Sequence, residues 1–353
     1  MDKILTITVP TYNVEKYLDR CIISLINDET ILPMLDIIIV NDGSSDNSLE
    51  IAKSYAKKYP NCIRVIDKEN GGHGSTINVG LKEAKGKYFR LLDSDDWVNI
   101  DDFPDYVKSL SKLNVDAVIT DYSLMQVYSG NEVEIKYNIP RNRITKFDKL
   151  DLESLYPSYF GNAAITFKTE KLRKANLHVD EKCFYVDMEY ILFPIKELDD
   201  YIYLNYNIYR YFFGRANQSV NISSYVKNRV MHEKVLKRLI EFYEIEDLSE
   251  TKHNYVKYIL LFLINTHYSI YTKAKLPSKK AKKEIKEFDK YLKKNAPDLA
   301  KESGNQFRSV RWNRRTKYVF AQGKRKLFSR YADFLDVRKR KKVHNKKSKE
   351  GGK

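Results

Sequence analysis

Cysteine is scarce: the 353 residues hold three, Cys21, Cys62 and Cys183, with no Cys-x-x-Cys pair. An odd, widely spaced set in a chain of this size argues against a disulfide scaffold and a structural zinc site, and points to a reducing cytosol. Long hydrophobic runs are missing too. The most apolar stretch, residues 255–271, is interrupted by Lys257, Asn265, Thr266 and His267, so it reads as a buried helix and not as a membrane span. Residues 4–9 are too short for a signal core and lead into Pro10-Thr11-Tyr12-Asn13 rather than a small-residue cleavage site; no secretory signal is expected. No internal repeat is evident. Apolar material is ample, with 42% hydrophobic and 13% aromatic residues, which excludes wholesale disorder. The length allows about two domains.

Acidic residues are in deficit, and unevenly so. Lys and Arg number 63 against 47 Asp and Glu, a net charge of +16. Residues 271–353 carry 29 basic against 8 acidic side chains, whereas residues 1–270 carry 34 against 39. A mildly acidic body is followed by a strongly basic region, which calls for its own reading.

The first 120 residues alternate short apolar runs with helical periodicity. Strands are predicted at 4–9, 35–40, 62–66, 88–92 and 117–120, and helices at 15–26, 46–59, 75–84 and 101–113. Near-continuous apolar strands separated by helices imply a mostly parallel sheet covered on both faces, an α/β doubly wound layer. Residues 121–223 read as strand-like and irregular, 225–243 and 253–271 as helices, and Pro277-Ser278 as a joint before lysine-rich helices. The predicted division is an α/β domain over 1–223, with halves 1–120 and 121–223, a helical region over 224–338 and a polar basic tail over 339–353 that cannot bury a core.

Ligands of open α/β sheets bind beyond the carboxyl ends of the strands. The strand ends carry, in order, Pro10-Thr11-Tyr12-Asn13, Asn41-Asp42-Gly43-Ser44-Ser45-Asp46, Asn70-Gly71-Gly72-His73-Gly74-Ser75 and Asp93-Ser94-Asp95-Asp96-Trp97. Each alone fits a turn or a helix cap. Together they line one rim with polar and acidic groups. Three carboxylates within four residues repel one another unless a cation or donors compensate them. An extended strand end through Asp93-x-Asp95 puts two carboxylates on one side, suited to Mg²⁺ or Mn²⁺ shared with phosphate oxygens.

These four motifs, with Gly86-Lys87-Tyr88, resemble in order and spacing those of family 2 glycosyltransferases with the GT-A fold, over roughly residues 3–220. The resemblance implies a nucleotide-diphosphate-sugar donor, most often a UDP-sugar, with 1–120 as the donor half and 121–223 as the acceptor half. Carried over by position, Pro10, Thr11 and Tyr12 line the base pocket, and Asp42 accepts from the base. Asp93 meets the ribose or the metal, and Asp95 binds the metal. Asp96 is a weaker member of the same cluster. Asn78 and Ser94 complete the nucleotide-sugar contacts. Two positions depart from the family pattern: Asn41 stands where Asp is common, and Thr76-Ile77-Asn78 lacks the usual Arg. Gly72-His73-Gly74-Ser75 offers backbone N–H groups or the His73 imidazole in its place.

The resemblance also makes Asp187, in Val186-Asp187-Met188-Glu189, the general base of an inverting transfer to a glycan or lipid-linked acceptor; the same residues read structurally as a helix cap and a first-turn acid. Arg215, Gln218 and Ser219 are candidates for closing over the diphosphate, set against an exposed loop. The basic region interleaves aromatics, as in Arg311-Trp312, Lys317-Tyr318 and Arg330-Tyr331. That pattern suits an anionic membrane surface on the inner face of the cell membrane better than nucleic acid, for which no motif is present. Two rivals stay open. A sugar nucleotidyltransferase calls for a glycine-rich first loop that Pro10–Asn13 is not, and a non-catalytic nucleic-acid-binding protein has no need of Asp93-x-Asp95.

Overall fold

The computed structural model of the protein describes residues 3–214, 221–273 and 278–318. The chain divides into two compact units, residues 1–219 with 237–256, and residues 220–236 with 257–353.

The first unit opens with the predicted alternation: β1 (Leu5–Thr11), α1 (Glu15–Leu25), β2 (Leu35–Asp42), α2 (Ser48–Lys58), β3 (Ile63–Lys68), α3 (His73–Glu83), β4 (Tyr88–Leu91), β5 (Trp97–Val98) and α4 (Phe103–Lys112). Every residue of β1, β2 and β4 is buried, as strands covered on both faces must be. The helices dock by one apolar stripe each. α1 buries Leu18, Cys21, Ile22 and Leu25, and α4 buries Phe103, Tyr106, Val107 and Leu110. Each fully buried large apolar side chain of this kind contributes about 1.5–3 kcal/mol.

The unit continues with β6 (Ala117–Gln126), β7 (Glu132–Ile135), β8 (Ile144–Lys146), α5 (Leu152–Leu155), β9 (Ile165–Lys168), α6 (Thr169–Lys174), α7 (Asp187–Leu192) and β10 (Asp200–Phe213). The strands pair in the order β3-β2-β1-β4-β9-β6-β10-β5, with β7 on β6 and β8 on β10. The mostly parallel sheet expected is present, with an antiparallel interruption. β9, from far along the chain, enters between β4 and β6 antiparallel to both. The long pairings, β1 with β2, β2 with β3 and β6 with β10, are parallel, so the sheet is mixed and mostly parallel. β6 runs past residue 120 because its later residues pair with both β10 and β7; their polar side chains hid this extension from an apolar-run reading.

From β1 the chain winds outward through α1 to β2 and α2 to β3, and α3 then returns it to the other side of β1 as β4. The topological switch point therefore lies between β1 and β4, where such sheets bind ligands. Pro10 fits this place. The last β1–β4 pair is Thr8 with Leu91, and Leu92 N–H donates to Thr8 O. Two residues on, Pro10 faces the same side, where β4 has ended and no donor is required.

Residues 237–256 belong to α9 (Arg229–Ile245) and α10 (Glu250–Lys273), which follow α8 (Ile222–Lys227). A division at residue 223 misses their place in the first unit. Arg238 pairs with Glu189 at 2.8 Å, Phe242 lies 5.2 Å from Phe193 between ring centroids, and Tyr255 Oη accepts the Phe160 N–H at 3.0 Å. The helix expected over 225–243 is two helices meeting at Asn228.

The second unit also holds α11 (Ser278–Asn295), α12 (Pro297–Gln306) and α13 (Arg308–Arg315). Buried Asp289 ties α13 to α11: it accepts from Arg314 (2.7 Å), Lys293 (2.7 Å) and the Tyr318 hydroxyl (2.5 Å). Among the described residues no helix is long and apolar enough to cross a membrane. Residues 255–271 lie in α10 and bury Tyr255, Val256, Ile259, Leu260, Ile264 and Tyr268. The tail from residue 319 onward lies outside the described residues.

Candidate active site

The strand ends that frame the switch point are stitched together by their own motifs. Asn13, in left-handed backbone (φ 53°), accepts at Oδ1 from the Ser45 N–H (2.8 Å) and gives its own N–H to Ser44 Oγ (3.1 Å). Asp46 accepts from the N–H groups of Glu15 and Ser48, each at 3.0 Å. The segments after β1 and β2 thus form one rigid piece. Tyr12 rides on it, 53% exposed, and its ring is a flat surface on which a base can stack. Pro10 and Thr11 are buried in β1, and the Thr11 hydroxyl donates to Val9 O.

Asp42 is engaged inside the protein. Its Oδ1 accepts from Lys68 Nζ (2.7 Å) and the Gly71 N–H (2.8 Å), and its Oδ2 from the Gly72 N–H (2.8 Å). A carboxylate has about four acceptor sites, so the expected base contact has one left, on Oδ2. The chief task of Asp42 is to hold the 70–75 loop. The Gly72 N–H is consequently not aimed at a diphosphate, and the Ser75 N–H is bonded to Gly72 O. Asn78 is engaged too. Its amide donates to Val179 O (2.9 Å) and accepts the Val179 N–H (3.0 Å), so it pins α3 to residues 179–181. Sequence reasoning missed Lys68, the basic group that stands here beside Asp42 although position 77 is Ile. The strand-end rule points to it, because it is the last residue of β3.

β4 stops at Leu91, and residues 93–96 close a turn through the Asp96 N–H and Asp93 O (2.9 Å). The extended geometry assumed for Asp93 and Asp95 is therefore replaced by a turn. Asp96 leaves the proposed cluster altogether. Fully buried, it accepts from the Tyr209 hydroxyl and the Phe212 N–H, both at 2.7 Å, and latches the turn to β10. Burial, with the Asp93 charge adding, pushes its carboxyl well above the usual range. Ser94 is 4% exposed and presents little to a ligand. Arg20 fixes the turn from the other side: it donates to Asp95 O (3.0 Å) and lies 3.7 Å from the Trp97 ring centroid, a cation–π contact of about 0.5–2 kcal/mol.

Asp93 and Asp95 remain at the rim, Asp93 with 35% of its side chain exposed and Asp95 half-buried. Two hard oxygen donors fit a divalent cation that shares ligand phosphates. Among the described residues no three His, Cys, Asp or Glu side chains converge to cage a metal by themselves. That donor set suits Mg²⁺ or Mn²⁺ and not a protein-enclosed site.

His73 begins α3 with Nε2 3.9 Å from Asp93 Oδ1, and Asp187 begins α7 close enough to feel both charges. Desolvation, with Asp93 adding and His73 opposing, raises the Asp187 carboxyl above its ordinary value. A base is more effective when its pKa climbs toward the working pH. Glu189 is the first-turn acid expected, and it is fully buried, accepting from the Asp180 N–H (2.7 Å) and from Arg238 (2.8 Å). The segment leading to Asp187 is pressed onto the glycine loop. The Lys182 N–H donates to Gly71 O (2.6 Å), and a Cβ on Gly74 would stand 2.0 Å from Asp180 O. Lys182 (φ 50°) and Tyr185 (φ 70°) both adopt left-handed backbone, at about 1–3 kcal/mol each. Arg215, Gln218 and Ser219 lie outside the described residues.

Residues 6–170 match the family model "Glycosyl transferase family 2". This segment belongs to that family. Over 180 residues, half of this chain, the family 2 domain is 34% identical to the minor teichoic acid biosynthesis protein GgaB of Bacillus subtilis, and the match spans 19% of GgaB's length. The structure of S. aureus TarS 1-349 in complex with UDP-GlcNAc is similar with a TM-score of 0.64 and 18% identity, covering 90% of this chain and 89% of that one. Mannosyltransferase PcManGT from Pyrobaculum calidifontis, in complex with GDP-Man and Mn²⁺, reaches a TM-score of 0.51 at 14% identity, covering 91% and 86%. At such identities the shared property is the fold, and the family 2 domain has the GT-A fold.

Proposed function

We propose that the protein transfers a sugar from a nucleotide-diphosphate-sugar, UDP-linked as in the TarS complex, to a hydroxyl of a glycan or lipid-linked acceptor during assembly of a bacterial surface polysaccharide. The observation that carries this reading is that His73 lies 3.9 Å from Asp93 and that both act electrostatically on Asp187, although the three come from positions far apart in sequence.

Tyr12 stacks on the base, and the last acceptor site of Asp42 takes a base N–H. Asp187 accepts the proton of the attacking hydroxyl, and attack from the face opposite the leaving diphosphate inverts the anomeric centre. A divalent cation held by Asp93 and Asp95 would supply positive charge to the diphosphate as it leaves. When protonated, His73 would offset the repulsion between Asp93 and Asp187. Holding acceptor and donor in line removes much of the entropic barrier.

The decisive experiment incubates the protein with UDP-, GDP- and TDP-sugars and Mn²⁺ and follows slow donor hydrolysis. Release of the nucleoside diphosphate from one donor supports the reading. Pyrophosphate release from a nucleoside triphosphate and a sugar 1-phosphate would instead make it a nucleotidyltransferase, and no turnover of either kind would leave a binding protein.

The basic carboxyl-terminal region is the proposed contact with an anionic membrane surface on the cytoplasmic side. Support comes from its charge and from α13, where Arg311, Trp312 and Arg315 are exposed. Each basic residue near such a surface contributes about 1 kcal/mol, screened over about 8 Å at physiological salt. Co-sedimentation with anionic but not neutral liposomes, lost at high salt and on deleting residues 300–353, is the expected result; equal binding to both vesicle types overturns it.

A further inference from the structure

We propose that Phe184 and Tyr185 form an aromatic platform that receives the apolar face of a pyranose ring of the acceptor, next to Asp187. The inference rests on the reading of Asp187 as the acceptor base and adds to it a chemical class: an acceptor that offers a ring, not a flexible polyol chain.

An exposed phenylalanine alone says little. Phe184, 45% exposed, is not alone. The next residue, Tyr185, sits in left-handed backbone at φ 70°, a conformation that glycine adopts freely and an aromatic residue resists. The surroundings enforce it. Upstream, Val179 is bonded to Asn78, the Asp180 N–H to buried Glu189 and the Lys182 N–H to Gly71 O. Downstream, the Met188 N–H donates to Tyr185 O at 3.2 Å as α7 begins. Strain kept in place by anchors on both sides, at a functional locus, is an outlier from which a role can be inferred. Its effect is to set two rings side by side, with centroids 6.2 Å apart and planes inclined at 50°.

The chemistry of a sugar matches such a surface. A pyranose ring shows C–H bonds on its faces and hydroxyls around its rim. An aromatic face, negative at its centre, attracts the C–H side. Tyr185 and Asp187 are two residues apart, at most about 7 Å along the backbone, so the platform and the proposed base are borne by one short segment. The donor contacts come from the ends of β1, β2 and β4, whereas this platform comes from the segment that carries the base.

The test uses the full chain and three probes, methyl β-glucopyranoside, methyl β-galactopyranoside and methyl N-acetyl-β-glucosaminide, with glycerol as the non-ring control. Binding is read by saturation-transfer NMR, and fold by thermal unfolding and UDP affinity. At least one glycoside should bind the wild type through its ring C–H protons, and glycerol should not. Phe184→Ala and Tyr185→Gly should each weaken that binding about five- to tenfold with UDP affinity unchanged. Tyr185→Gly removes the ring yet suits the backbone, so its unfolding temperature should hold or rise. Higher stability with weaker glycoside binding is a combination that a merely structural tyrosine does not produce. Glycoside binding that survives both substitutions overturns the platform, as does a wild type that binds none of the three or a Tyr185→Gly variant that unfolds early. Intact glycoside binding in a wild type that hydrolyses no nucleotide-sugar supports the platform and strikes the transferase reading alone.

Discussion

On the nucleotide side of the site, from β1 to the 93–96 turn, most polar side chains are already bonded within the protein: Asn13 to Ser45, Asp42 to Lys68 and the glycine loop, Asp96 to Tyr209. On the base side, residues 180–187 hold two non-glycine residues in left-handed backbone and one exposed phenylalanine. The first region is stiffened by strand-end side chains that bond across to other strands and loops, 26 to 113 positions away in the chain. The second is clamped from a distance, by Asn78, Glu189 and Arg238. Both sides are assembled by tertiary contacts, and they differ in what is left over: bonded polar groups on the first, an exposed ring beside left-handed backbone on the second.

The sharpest way to break this contrast is at the rim. Asp95→Ala should abolish transfer, and EDTA should silence the wild type. Full turnover in chelator would end the metal-dependent mechanism, leaving the fold description untouched.

On the base side, Asp187→Asn keeps the size of the side chain and removes its basicity. Turnover should fall about 10²-fold or more, with UDP affinity near normal by calorimetry. Because burial raises the Asp187 carboxyl, the wild-type rate should decline with falling pH already above the ordinary aspartate range, as the base takes up its proton. The variant should lack that acid limb. Unchanged turnover would return Asp187 to a structural role at the start of α7.

The junction between the two sides can be forced apart. Gly74→Ala places a methyl 2.0 Å from Asp180 O. Alanine in a helix interior ordinarily stabilises by about 0.5–1 kcal/mol; here overpacking should reverse the sign and cost about 1–3 kcal/mol in urea unfolding. Gly161→Ala, whose nearest neighbour would be a tyrosine ring atom at 3.8 Å, is the neutral control.

The mildest probe sharpens the assignment of Asn78. Asn78→Ala leaves the buried Val179 N–H without its acceptor and should cost about 1–3 kcal/mol of stability, with UDP affinity unchanged. A large loss of UDP affinity in a folded variant would restore Asn78 to the nucleotide contacts.

Much of this molecule was legible along the chain, for reasons that differ by region. The alternation of apolar strands and helices through residue 120 could be read because each element buries one contiguous run or one helical stripe. Tyr12, Asp93 and His73 could be singled out as candidates because strand ends carry them, and Asp187 because its motif resembles that of the family. The insertion of β9 could not be read, since nothing in residues 165–168 says which strands they will separate. Nor could the place of residues 237–256, whose contacts with Glu189 and Phe193 span about fifty positions of chain.

By itself the sequence determined the local facts: which segments bury apolar surface with which period, where the chain turns, and which strand ends carry acids. Those depend on neighbours a few residues apart. The tertiary structure alone decided which polar groups remain for a ligand. Asp42, Asp96 and Asn78 look as available in sequence as Asp93 and Asp187, and each is engaged by partners 20 or more positions away, Lys68 and Gly71, Tyr209, and Val179, with Asp42 keeping one acceptor site. A carboxylate's chemistry depends on what surrounds it within a few ångströms, and folding assembles those surroundings from distant parts of the chain.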